Sequence, residues 1–254
     1  MNLDDFNLTG KNALVTGSRV GLGAAIALGL ARAGANVVVH GRDSRGIEKV
    51  CDAVSAVGAK AVPGIGNVSD AHACQELVDL TVRELGSIDI LVNNAGIIRR
   101  SPAAEFSEHD WADVIEINLT SVFRLCQFAG RHMLKQGHGK IVNIASLLSF
   151  QGGIFVPAYA AAKSGVAGIT KAFANEWAPK GINVNAIAPG YMATDITTAL
   201  RNDPNRSRQI LERIPAGRWG EPRDLAGAAV FLCSRASDYV HGHVLAVDGG
   251  WLAR

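Results

Sequence analysis

The 254-residue chain has only four cysteines, Cys51, Cys74, Cys126 and Cys233, and their spacing pairs none of them. That argues against a disulfide framework or a zinc knot and predicts reduced thiols in the cytoplasm. The seven histidines form no ligand pattern; His241 and His243 flank Gly242 as ordinary loop or edge residues, so no metal site is expected. Charge is nearly balanced at +2, too weak a bias to favour nucleic acid or an anionic membrane. No apolar run reaches spanning length, and the opening MNLDDFNLTGKN has acids where a secretory leader needs an apolar stretch. Repeats and low-complexity segments are missing as well. What remains is an ordinary globular composition, 48% hydrophobic and 19% charged.

Short apolar runs alternate with helical patterns along the chain. The expected strands are Asn12–Thr16, Ala35–His40, Ala59–Ile65, Ile88–Val92, Lys140–Ser146, Ile182–Ile187 and His243–Val247. A long helical pattern runs from Glu108 to Lys135, and another spans Arg223 to Arg235. Strand–helix alternation of this kind predicts an α/β fold, a single Rossmann-like doubly wound parallel sheet with helices on both faces. Residues 1–254 are read as one dinucleotide-binding catalytic domain. The polar stretch 195–218, centred on RNDPNRSR, reads as a mobile insertion, so a lid is expected at about 191–218.

Gly17, Ser18, Arg19, Gly21, Leu22 and Gly23 join the first strand to a helix. Glycines there either let the backbone approach a pyrophosphate or simply make a tight turn. After the second strand, His40-Gly41-Arg42-Asp43 leaves the usual acidic place empty and offers an arginine fork. This predicts a preference for NADP(H) over the alternative NAD(H), with Arg19 as a second cation. Asp43 either pairs with Arg42 or caps the next helix. Asn67 and Val68 either meet the adenine or make a plain turn. Asn94, Ala95 and Gly96 follow the fourth strand and suit a crevice filled by a ligand. Pro189 and Gly190 are expected to carry the chain across the cofactor, with Met192 and Thr194 beyond them.

Tyr159 and Lys163 stand four apart in an alanine-rich run, so they share a helix face. A phenol is a poor acid or base near neutrality, and an ammonium one turn away is expected to lower its pKa. Ser146, at a strand end, can hold a substrate oxygen beside it. Asn118, inside the long helical pattern, either distorts that helix and holds a water near Lys163 or bonds a neighbouring strand.

Thr16-Gly17-x-x-x-Gly21-x-Gly23, Asn93-Asn94-Ala95-Gly96, Asn118, Ser146, Tyr159-x-x-x-Lys163 and Pro189-Gly190 together resemble the short-chain dehydrogenase/reductase family over nearly the whole chain. The resemblance implies that Tyr159 is the acid/base and Ser146 orients the substrate oxygen. It implies that Lys163 lowers the Tyr159 pKa and holds the nicotinamide ribose, and that Asn118 positions a relay water. It also implies a homotetramer built through the long helices and the last strand. The runs SLLSFQGGIFVPAY, IAPGYMATD, RIPAGRWG and VDGGWLAR resemble the branch that handles keto-deoxy sugar acids. Gluconate 5-dehydrogenases and 3-oxoacyl carrier-protein reductases are the alternatives within the family. A dinucleotide-binding sensor without turnover is the alternative outside it. A sugar-acid carboxylate calls for a cation, and Arg99, Arg100 and Arg208 are the candidates, with Gln151 and Met192 as pocket walls.

Overall fold

The computed structural model describes residues 3–254. Met1 and Asn2, where the reading for a leader begins, lie outside the described residues. Seven parallel strands form one sheet in the order β3-β2-β1-β4-β5-β6-β7. They are β1 (Asn12–Val15), β2 (Asn36–Gly41), β3 (Ala61–Ile65), β4 (Ile90–Asn93), β5 (Gly139–Ile144), β6 (Ile182–Pro189) and β7 (Val244–Val247).

Every other side chain goes to the opposite face. Ala13 and Val15 of β1, Val37 and Val39 of β2, and Ile90 and Val92 of β4 pack into one core with α1 (Gly21–Arg32), α2 (Ile47–Ser55) and α9 (Ala226–Cys233). Leu14, Val38 and Leu91 point the other way, against α3 (Ala71–Leu85), α5 (Ser121–Gln136) and α6 (Pro157–Trp177). Both faces are covered, which is why the inner strands are continuously apolar. The order reverses between β1 and β4, and the crevice at that switch point is where such sheets take ligands.

Local chemistry sets the helix ends. Asp70 accepts the His72 amide at the start of α3, and Gly86 closes that helix in the left-handed region. Pro157 occupies the first turn of α6, where its missing N–H costs nothing.

Two expectations change. The long helical pattern is broken: α4 (Glu108–Ile115) runs through a π-helical turn, Glu116–Thr120, into α5. The polar segment 195–218 is largely helical, with α7 (Thr198–Asn202) and α8 (Pro204–Arg213). Buried Ile210 and Ile214 seat α8 against Leu147 and Trp251. It looks polar in sequence because α8 buries so narrow a stripe. No helix among the described residues is long and apolar enough to cross a membrane.

The α5–α6 contact relies on a glycine. A Cβ on Gly130 would lie 2.6 Å from the Trp177 ring, itself stacked on Phe173. Gly130→Ala is expected to cost about 1–3 kcal/mol through overpacking, measured as a shifted midpoint in urea unfolding.

Candidate active site

The site begins with the glycine turn. Gly17 and Gly21 have φ of 63° and 59°, a region that favours glycine. A Cβ on Gly23 would stand 2.4 Å from the Gly17 carbonyl oxygen, so helix and turn meet there without room for a side chain. The N-terminus of α1 has no side-chain cap and no acid in its first turn. Its amides are therefore left for an anion.

His40 locks this turn. Its ring is buried and accepts the Gly17 N–H at Nδ1 (2.9 Å) while Nε2 donates to the Gly66 carbonyl (3.0 Å). The Gly17 amide can only donate, so the network assigns the neutral Nε2–H tautomer. Burial pushes the His40 pKa down, with the Gly66 bond opposing it. Ser18 serves the same lock, bonding the Val15 carbonyl and accepting the His40 amide. Its hydroxyl is thus turned into the fold.

A cleft of about 270 Å³ runs from this turn along the strand ends. Arg19 and Arg42 stand at one end, with Gly17, Gly21 and Leu22 on the floor. Asn67 and Val68 flank it, while Asn94, Ala95 and Gly96 lead towards Asn118, Tyr159 and Lys163; Thr194 lies across from them. Asp43 does not engage Arg42. It pairs with Arg45 at 2.7 Å and lies 3.9 Å from Arg19, and Arg45 holds its carboxyl down at about 2. Arg42 keeps its fork free of any acid among the described residues.

At the other end, Ser146 follows β5 and caps a short turn by accepting the Leu148 amide. Lys163 is buried and donates to the carbonyl of Ile144, the last residue of β5, at 2.6 Å. Desolvation lowers its pKa to about 8. Burial pushes the Tyr159 pKa up to about 12, with Ser146 and Arg100 pulling it back. The Lys163 ammonium donates to Ile144 and stands 5.5 Å from the ring centre. Asn118 lies in the π turn, its amide accepting the Ile97 N–H and donating to the carbonyls of Ile97 and Val114. Its bonds thus reach the segment after β4 rather than a strand.

A second cavity of about 410 Å³ shares Tyr159 with the cleft and adds Ser146, Arg100 and Gln151. Pro189 and Gly190 line this cavity, and Gly190 packs closely against Asp248. Three substrate candidates fall elsewhere. Arg99 turns to Asp110 and Asp113, Arg208 reaches Glu212 along α8, and Met192 is buried beside Gly220. Sequence reasoning missed Arg206, Arg213 and Trp251, which do line the cavity. Alternation of Arg206, Gln209 and Arg213 at helical spacing was the available signal. A third cavity, about 430 Å³ at the N-terminal ends of the central strands, holds charges that neutralise each other, as in Lys11–Asp89 and Lys140–Asp238.

His40 makes the turn pH-dependent. Its folded pKa lies below the unfolded value, so its contribution is complete above about pH 6.5 and is lost as pH falls. Wild-type stability is expected to fall more steeply below that pH than that of His40→Asn, as measured by chemical denaturation between pH 5 and 8.

The surroundings agree with known proteins. A family described as enoyl-(acyl carrier protein) reductase matches residues 17–252. The 2-dehydro-3-deoxy-D-gluconate 5-dehydrogenase of Dickeya dadantii (strain 3937) is 57% identical over 255 residues, covering 100% of both chains. A provisionally named 2-deoxy-D-gluconate 3-dehydrogenase from Agrobacterium tumefaciens, crystallised with bound NADP, is 55% identical. The match covers 99% of this chain and 100% of that one, with a TM-score of 0.93. A gluconate 5-dehydrogenase from Burkholderia cenocepacia J2315, in complex with NADP and tartrate, is 41% identical over 99% of each chain, with a TM-score of 0.95. With the fold, the glycine turn and the Ser146–Tyr159–Lys163 group in place, the chain belongs to the short-chain dehydrogenase/reductase family of NAD(P)-dependent oxidoreductases acting on CH–OH groups.

Proposed function

We propose that the protein is an NADP(H)-linked dehydrogenase of deoxy sugar acids, interconverting a keto and a hydroxyl group as a 2-dehydro-3-deoxy-D-gluconate 5-dehydrogenase does. The observation that carries this reading is the position of Tyr159 and Ser146, where the cleft along the glycine turn meets a cavity bearing Arg100, Arg206 and Arg213.

The cleft suits a phosphorylated dinucleotide. The uncapped α1 amides and the glycine turn would hold the pyrophosphate, and Arg42 with Arg19 would meet a 2′-phosphate. Bound there, the nicotinamide supplies or accepts the hydride. Tyr159, a phenol at neutral pH with its pKa near 12, acts as the acid toward a substrate carbonyl oxygen held by Ser146. In the oxidative direction the Ser146 hydrogen bond and the Arg100 charge favour its phenolate. Lys163 would hold the ribose, and its ammonium is the further cation near the ring. Asn118 acts as a positioning residue: its side chain ties the π turn to Ile97. The segment 191–218, with α8 over the second cavity, serves as the lid. Free cysteines favour the cytoplasm. Half-exposed Trp111 and Phe123 on α4 and α5 favour a homotetramer packed through those helices.

Gluconate 5-dehydrogenation is the second reading, supported by Arg42 and by the NADP-bound Burkholderia relative. Initial rates with NADPH or NADH on 4,6-dihydroxy-2,5-dioxohexanoate and on 5-keto-gluconate decide between them. Faster turnover of the first compound is expected. Turnover of 5-keto-gluconate alone installs the second reading, and turnover of neither defeats both. Tyr159→Phe should lose about 10²–10⁴-fold in kcat while binding NADPH unchanged in a fluorescence titration. Arg42→Ala should weaken NADPH roughly tenfold or more, as expected for a lost charged hydrogen bond. NADH affinity should change little; equal loss for both cofactors would refute the role given to Arg42.

A further inference from the structure

We propose that Arg213 is the specificity-determining residue that holds the substrate carboxylate, at the end of the cavity remote from the reacting carbon. This rests on the sugar-acid reading above and deepens it. The cavity contains three cations, and they are not equivalent. Arg100 acts on Tyr159 through its charge, which places it beside the reacting oxygen. Arg206 is engaged by the Gln209 side chain at 2.9 Å. Arg213, in the last turn of α8, sits over the Trp251 ring, its Cζ 4.0 Å from the ring centre.

Stacking of this kind fixes the plane of a guanidinium and leaves its N–H edge open. The platform is itself immobile. Trp251 is 5% exposed, packs 4.6 Å from Tyr191, and its indole N–H donates to Gln151 at 3.4 Å. Arg213 therefore holds its place without an ion pair. Among the described residues no carboxylate lies within salt-bridge distance of Arg100, Arg206 or Arg213. The neighbouring Arg208, Arg218 and Arg223 are each paired, with Glu212, Asp224 and Glu221. A preorganised, unpaired fork in a cavity that ends at Ser146 and Tyr159 matches a planar carboxylate, two N–H groups to two oxygens. An alcohol or keto group at that end would use the fork poorly.

The test is binding to the NADPH complex, in which neither D-gluconate nor its neutral counterpart D-glucitol can be reduced. Calorimetry should show wild type preferring gluconate at least tenfold. Arg213→Met, which keeps an apolar stem on Trp251, should lose at least tenfold in gluconate affinity and leave glucitol unchanged. Arg208→Ala, outside the cavity, should retain the preference. If Arg213→Met melts without a cooperative transition, Arg213→Lys replaces it; it keeps the charge but not the fork, and the same loss is expected. Retained preference in the Arg213 variant, or no preference in wild type, overturns the proposal. Failure of the sugar-acid reading appears separately, as missing turnover of both keto acids by a wild type that still prefers gluconate.

Discussion

The hydrogen bond from Lys163 to the Ile144 carbonyl joins the chemistry of this protein to its fold. A buried ammonium is costly unless a strong acceptor meets it. Here the acceptor is the last carbonyl of β5, at 2.6 Å. That single requirement sets the height of α6 against the sheet. Tyr159, one turn earlier, then stands over the strand ends, and the Ser149 hydroxyl bonds the Lys163 carbonyl to hold the same register. Desolvation leaves the ammonium only loosely protonated, with its pKa near 8. The buried ammonium is thus a structural bolt.

The other half of the cleft repeats this economy with a different residue. His40 bridges the β1–α1 turn and the end of β3 through two backbone partners, so three strand ends share one ring. Thr16 does the same between β1 and β4, its hydroxyl accepting the amides of Asn94 and Ala95. The floor of the cleft is consequently rigid before any ligand arrives. On the far side of Tyr159, α8 is seated by Ile210 and Ile214 against Leu147 and Trp251.

Much of this was legible in the sequence, for identifiable reasons. Inner strands announce themselves because both faces are buried, and the glycine turn because positive φ and close approach demand glycine. Tyr159 and Lys163 follow from helical spacing. Elsewhere local pattern fails. Nothing in Glu-Ile-Asn-Leu-Thr distinguishes a π turn from an α-helix; the extra residue is absorbed because Asn118 has Ile97 to hold. Arg99 and Arg100 are neighbours of the same type, yet only tertiary placement sends one to Asp110 and the other beside Tyr159. Arg213 was hidden in a stretch that reads as solvent-exposed, since the residue that gives it meaning, Trp251, lies far along the chain.

The Trp251 platform has a practical consequence. An indole buried under a guanidinium and beside Tyr191 emits light in a way that depends on both neighbours. Anything that draws the Arg213 fork toward an anion alters the charge above the ring and shifts that emission. Trp219 meets Tyr191 edge-on at 5.7 Å and shares the same aromatic cluster. On the assignment proposed for Arg213, Trp251, one of four tryptophans in the chain, would report occupancy of that fork. Stopped-flow fluorescence could follow the arrival of the acid independently of NADPH absorbance, giving the order of binding without a label.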